Sequence, residues 1–131
     1  MIVGAVSASE LERLIARAAE LQLDVLVEVH DREELSIAIG AGAAIVGVNN
    51  RNLRTLAVDL NVSAELIARI PRGVVAVSES GLRSPADIGR FTALGYRAFL
   101  IGERFMATAD PGAALQMFLE DYAGQDLRHH A

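Results

Sequence analysis

Five short β-branched runs, separated by stretches of helical period, constrain this chain more than any other feature. The runs are Ile2–Val6, Val25–His30, Ala44–Val48, Val74–Ser78 and Ala98–Ile101. Each is nearly continuous in apolar residues, as are strands of a parallel sheet buried on both faces. The intervening stretches carry helix signals. Ser9 is placed to cap a helix over Glu10–Leu21, with Glu12 completing a capping box. Leu11, Leu14, Ile15, Ala18 and Leu21 form its apolar stripe. Asp31 or Arg32 opens a second helix to about Ile39, stopped by Gly40 and Gly42. Ser63 caps a third, running to about Ile70. Ser84-Pro85 and Asp110-Pro111 each set a capping side chain before a proline, opening helices that end near Gly95 and Tyr122.

The order is therefore five consecutive βα units with a parallel sheet. Residues 1–123 form one domain, and 124–131 form a flexible C-terminal tail. Asn49–Asn61 is the longest irregular stretch, and long loops in such units are usually functional. Periodicity leaves two architectures open. One is part of a (βα)8 barrel, with all helices outside. The other is a flavodoxin-like open five-stranded sheet with helices on both faces.

Composition narrows the chemistry. The 131 residues contain no cysteine, which excludes disulfides, a thiolate nucleophile and a Cys-ligated metal. The formal charge is −5 and the basic residues are scattered, which argues against a nucleic-acid partner. All twelve Lys+Arg residues are Arg, so no side-chain amine exists for Schiff-base or ammonium chemistry. The apolar start Met1–Val6 lacks a basic flank and is too short to cross a bilayer. The expectation is a cytoplasmic protein without a membrane partner.

In either architecture ligands bind at the C-terminal ends of the strands. Glu28 interrupts the second run, and a carboxylate there needs a partner or a proton. His30, just beyond, reads more as a loop residue than as a functional one. The third run leads into Asn49-Asn50-Arg51-Asn52, a donor-rich edge suited to an anionic or hydroxylated ligand. An asparagine-rich turn accounts well for Asn50 and Asn52, and less well for Asn49. Glu79 and Ser80 follow the fourth run, then Gly81. Gly102 and Glu103 follow the fifth. Glycines after the last two strands, with a helix start nearby, suit a phosphate. Two acids at an open rim, where alanine would change stability little, complete a constellation for acid–base chemistry on a small phosphorylated substrate.

Other signals are weak. Gly40-Ala41-Gly42 lies after a helix and before a strand, the reverse of a dinucleotide fingerprint, and reads as a helix stop. His129 and His130 are a tail pair, not a metal site. Phe105, Met106, Met117 and Phe118 are expected in the core.

Leu26-Val27-Glu28-Val29-His30-Asp31, Gly47-Val48-Asn49-Asn50-Arg51-Asn52-Leu53 and Val77-Ser78-Glu79-Ser80-Gly81-Leu82 closely resemble the indole-3-glycerol phosphate synthase family. Ala98-Phe99-Leu100-Ile101-Gly102-Glu103 and Asp110-Pro111-Gly112-Ala113-Ala114 extend the resemblance from about Ile2 to Leu119. It implies a (βα)8 barrel enzyme of tryptophan biosynthesis that needs no cofactor. That enzyme closes the indole ring of a phosphorylated carboxyphenylamino-deoxyribulose, with decarboxylation and dehydration. It further implies catalytic roles for Glu28 and Glu79. Asn49, Arg51 and Ser80 would contact substrate, and Gly81, Gly102 and the backbone at Glu103 would hold phosphate.

The match begins at the family's fourth strand, so the resemblance implies a truncated TIM barrel lacking three βα units and the family's catalytic lysines. The expectation is that the chain alone is inactive and retains a phosphate-binding or purely self-associating role. Five barrel strands with helices on one face leave an apolar face bare and two edges open. Homo-oligomerisation, or a complementing N-terminal barrel fragment, would cover them.

Overall fold

The structure, a computed structural model, describes residues 1–129, so the expectations for His130 and Ala131 lie outside it. Four parallel strands form one open sheet in chain order: β1 (Leu26–Val29), β2 (Ile45–Asn49), β3 (Val75–Glu79) and β4 (Ala98–Leu100). Six helices accompany them: α1 (Ala8–Glu20), α2 (Arg32–Gly40), α3 (Asn61–Leu66), α4 (Pro85–Leu94), α5 (Glu103–Met106) and α6 (Pro111–His129).

Strand order decides between the two architectures. A flavodoxin-like sheet places a strand out of chain order, and here β1, β2, β3 and β4 follow in sequence. Right-handed crossovers in that order put the helices on one face, as in a barrel wall. Burial agrees. Val27, Val29, Val46, Val48, Ala76 and Ser78 alternate onto the face beneath the helices and are sealed there. They pack with Leu11 of α1, Leu35 and Ala38 of α2, Leu66 of α3, Ile88 and Phe91 of α4 and Phe118 of α6. The opposite face presents Leu26, Ile45 and Val75 half-covered and Leu100 51% exposed.

The expected first strand does not form, so the described residues hold four strands and not five. Ile2 makes a single parallel bridge to Glu28. The chain then tightens into a 3-10 turn, Val3–Ala5, with Ala5 N–H donating to the Ile2 carbonyl at 3.1 Å. Gly4 and Ala5 have weak strand preference, and the segment pairs on one side only.

Several boundaries also move. Ser7, not Ser9, caps α1, and its box partner is Glu10, not Glu12. Ser63 is not a cap but a buried residue inside α3. The stretch expected as a loose tail from Gly124 is helical backbone as far as His129. Asp31, Ser84 and Asp110 cap their helices as read, and Gly42 and Gly95 stop theirs with positive φ. Phe105 and Phe118 pack edge to face at 5.5 Å in the core. Met106 and Met117 instead stand 74% and 66% exposed. Leu14 and Leu21 of the α1 stripe are exposed as well, because no element covers that flank.

A polar knot locks the site-bearing strand ends together. Asn50, 2% exposed, donates through Nδ2 to the Ser78 hydroxyl (3.2 Å) and to the carbonyls of Glu79 (3.0 Å) and Ser80 (3.1 Å). Its Oδ1 accepts from Ser63 N–H at 3.0 Å, and Ser63 and Ser78 hydroxyls meet at 2.9 Å. The Tyr96 hydroxyl donates to the Ser63 carbonyl at 2.8 Å, and burial pushes that phenol up to about 12. Asn50→Ala would strand several of these groups at once. We expect a loss of about 3 kcal/mol in urea unfolding; a change under about 1 kcal/mol would show that the knot is not needed.

Candidate active site

Parallel register places the candidate residues. Asn49 is paired with Glu79, and Glu28 is paired with Gly47 one step below. Side chains alternate along a strand, so Glu28, Asn49 and Glu79 share the face away from the helices. Asn49 Nδ2 donates to Glu28 Oε1 at 2.7 Å, and its Oδ1 accepts from Arg51 N–H at 2.9 Å. Asn49 is thus the hinge of the constellation, steadying the carboxylate on one side and the arginine on the other.

Glu79 is not on the wet rim expected for it. It is 5% exposed, and its Oε1 has no hydrogen-bond partner. The carboxylate lies over Gly47, where a Cβ would stand 1.7 Å from Oε1, so only glycine leaves room for it. Burial first, and then the neighbouring Glu28 charge, push the Glu79 carboxyl up to about 7; the N-terminal ammonium and His30 pull the other way. A carboxyl poised there can hold or release a proton near neutral pH.

The remaining candidates meet in a cleft of about 490 Å³ at the β3 and β4 ends. Arg51, Ser80, Gly81, Gly102 and Glu103 all line it. Ser80 and Gly81 both take positive φ, 65° and 80°. At Gly81 a Cβ would meet Val58 at 2.3 Å. The Asn50 bond to the Ser80 carbonyl holds this unusual turn. Arg51 reaches across to pair with Glu103 and donates to the Leu56 carbonyl at 3.3 Å. Arg83 and Arg104 also line the cleft and were missed in the sequence, because nothing in their local pattern separates them from surface arginines. Glu28, Asn49 and Glu79 do not line this cleft; Ser80 connects them to it along the chain.

Two other residues gain roles that their sequence context hid. Asn50, read as a turn residue, is the buried tie described above, whereas Asn52 is a turn residue, accepting from Arg54 and Thr55 N–H groups. His30 is not loop-facing: it packs between Glu28 and Glu34. Among the described residues, no group of three or more His, Cys, Asp or Glu is placed to hold a metal ion. Nor is any helix there long and apolar enough to cross a membrane.

Comparison with known proteins identifies the family and the fold. The profile of the family described as indole-3-glycerol phosphate synthase matches residues 1–118. The chain is 50% identical over 110 residues to the indole-3-glycerol phosphate synthase of Chlorobium phaeovibrioides, covering 84% of this chain and 43% of the relative. It is 45% identical over 121 residues to that of Acidithiobacillus ferrooxidans, covering 92% and 46%. The chain thus spans less than half the length of the curated relatives it matches. Among solved structures it resembles mandelate oxidase bound to 3,3-difluoro-2-hydroxy-3-phenylpropionic acid, with 27% identity and a TM-score of 0.72 over 88% of this chain and 37% of that one. The BexX/CysO complex of Amycolatopsis orientalis shares the fold alone, at 21% identity and a TM-score of 0.61 over 91% and 49%.

The Glu79 environment predicts a pH dependence with a definite sign. Its carboxyl rises from 4.5 to about 7 on folding, so the folded chain binds the proton more tightly than the unfolded one. The resulting stabilisation is complete below pH 4.5, declines up to about pH 7 and is absent above. Its size is at most about 3 kcal/mol. Urea unfolding across this range should show wild type losing stability relative to Glu79→Gln, then levelling off. A pH-independent difference would rule out a raised carboxyl.

Proposed function

Because the chain belongs to the indole-3-glycerol phosphate synthase family, we propose that its strand-end site takes a small phosphorylated substrate of the kind that family's ring closure uses. The observation that carries this reading is the pairing of a protonatable buried Glu79 with a cleft lined by three arginines, Arg51, Arg83 and Arg104. The phosphate sits in the cleft, against the Ser80-Gly81 turn and the backbone at Gly102 and Glu103. Guanidinium groups suit its charge and geometry. Glu79 supplies or takes a proton, and Glu28, oriented by Asn49, is the second carboxylate. No cofactor enters the proposed chemistry.

Binding and turnover separate in this chain. Its cationic side chains are all arginine. A guanidinium does not release its proton near neutral pH, so none of them serves as a general acid in place of an ammonium. The second reading follows: a site that grips sugar phosphates with little or no turnover. Calorimetric titration of the purified chain with inorganic phosphate should give saturable heat, weakened about tenfold or more in Arg83→Ala. Steady-state assays with the carboxyphenylamino-deoxyribulose phosphate should give no indole-glycerol phosphate. Absence of phosphate binding would sink the cleft assignment, and product from the isolated chain would sink the division between binding and turnover.

The uncovered sheet face bears on partners. Leu100 is exposed on it, the β4 edge is open, the β1 edge is met only by the short Met1–Ile2 segment, and Leu14, Leu21 and Leu23 are exposed on the α1 side. A second copy joined edge to edge would bring the strand number to that of a closed barrel. A complementing chain carrying the family's other strands would meet the same face. Light scattering at micromolar concentration should report more than one chain per particle; a monodisperse monomer would rule out self-association.

A further inference from the structure

We infer that His30, clamped by Glu34, is a positioning residue that aims the Glu28 carboxylate. The inference rests on Glu28 being a site carboxylate, as proposed above, and adds to that reading a support built from β1, α2 and the N-terminal turn.

The arrangement begins at the cap of α2. Asp31 accepts from Glu34 N–H at 2.9 Å, which sets Glu34 on the first turn. From there the Glu34 side chain reaches back past the cap. Its Oε2 accepts from the His30 backbone N–H at 2.8 Å and meets His30 Nδ1 at 3.0 Å. An ionised carboxylate only accepts, so this contact places a proton on Nδ1 and fixes the tautomer. The other oxygen of Glu34 is packed as well: a Cβ on Gly4 would stand 2.7 Å from Oε1. The carboxylate is therefore held by two donors, in space that Gly4 leaves open.

The far side of the ring faces the site. His30 Nε2 lies 3.3 Å from Glu28 Oε1, without the alignment of a hydrogen bond, and is buried with no other partner. Glu28 Oε1 is the same atom that accepts from Asn49. The carboxylate is thus bracketed by an amide on the β2 side and an imidazole on the α2 side. With the proton on Nδ1, Nε2 turns its lone pair toward Glu28 Oε1, so the ring limits where that carboxylate can lie. Histidine and both glutamates are each about four-fifths covered, and His30 Nε2 itself is buried. The charged groups facing this unit are Glu28, Glu34, the Met1 ammonium on the β1 edge and, across the sheet, Glu79. Glu34 touches no candidate substrate contact and acts through His30.

The test needs no ligand, so its outcome is separable from that of phosphate binding. Long-range proton–nitrogen spectra of the 15N-labelled 131-residue chain, assigned by loss of signal in His30→Gln, report which ring nitrogen is protonated. Carbon-13 detection reports the Glu28 carboxyl. In wild type Nδ1 should carry a proton. In Glu34→Ala the His30 signals should shift toward the Nε2–H form, and the Glu28 carboxyl resonance should move with them. Gly4→Ala provides a milder arm, because its methyl displaces only the flexible end of Glu34 and removes no hydrogen-bonding group. It should reproduce both shifts in part without lowering the melting temperature appreciably. An unprotonated Nδ1 in wild type would overturn the inference. So would unchanged His30 and Glu28 resonances in folded Gly4→Ala.

Discussion

The tie made by one amide governs how this chain presents its chemistry. Asn50 joins the end of β2 to the end of β3 and to the start of α3, spending both ends of its amide on buried partners. Without it, the turn that follows Glu79 would have no reason to hold two consecutive residues at positive φ. That turn, in turn, decides where Ser80 and Gly81 stand relative to the cleft. Glu79 begins the same segment, so its burial over Gly47 and the shape of the cleft are coupled through one short stretch of backbone.

The sheet's two faces divide the remaining work. Helix-side residues such as Val27, Val46 and Val48 supply burial and are interchangeable with other apolar residues of similar volume. The opposite face carries residues chosen by chemistry: Glu28, Asn49 and Glu79, with Gly47 left small to admit a carboxylate. Leu100 on that face, and Leu14 and Leu21 on the α1 flank, stand exposed. The candidate site residues and exposed Leu100 therefore share one surface of the sheet. Completing that surface would also shift the solvation of Glu79, whose proton affinity arises mainly from desolvation.

Strand positions were legible because both-face burial demands near-continuous apolar runs, and four of the five runs became strands within one or two residues. The fifth failed at Gly4 and Ala5, where local propensity is poor and only one neighbour pairs. Caps were legible where proline followed, as at Ser84, and misread at Ser9 and Ser63. Serine patterns repeat every few residues, and only packing selects which one caps. The candidate site was legible at strand ends, since polar residues there interrupt runs that burial otherwise keeps apolar. Arg83 and Arg104 were not, because a surface arginine and a cleft arginine look alike in one dimension.

From its residues alone, this chain was committed to alternating strands and helices, to acids and amides at strand ends, and to chemistry without thiols or amines. Those follow from residue type and spacing. Three-dimensional packing settled the rest: consecutive strand order in place of an inserted strand, the depth of Glu79, the clamp of His30 between two glutamates, and the role of Asn50 as a tie. The strand order, the depth of Glu79 and the Asn50 tie depend on which sequence-distant groups meet, and the His30 clamp, though its glutamates are close in sequence, depends on the packing that orients them; neither is written in a local pattern.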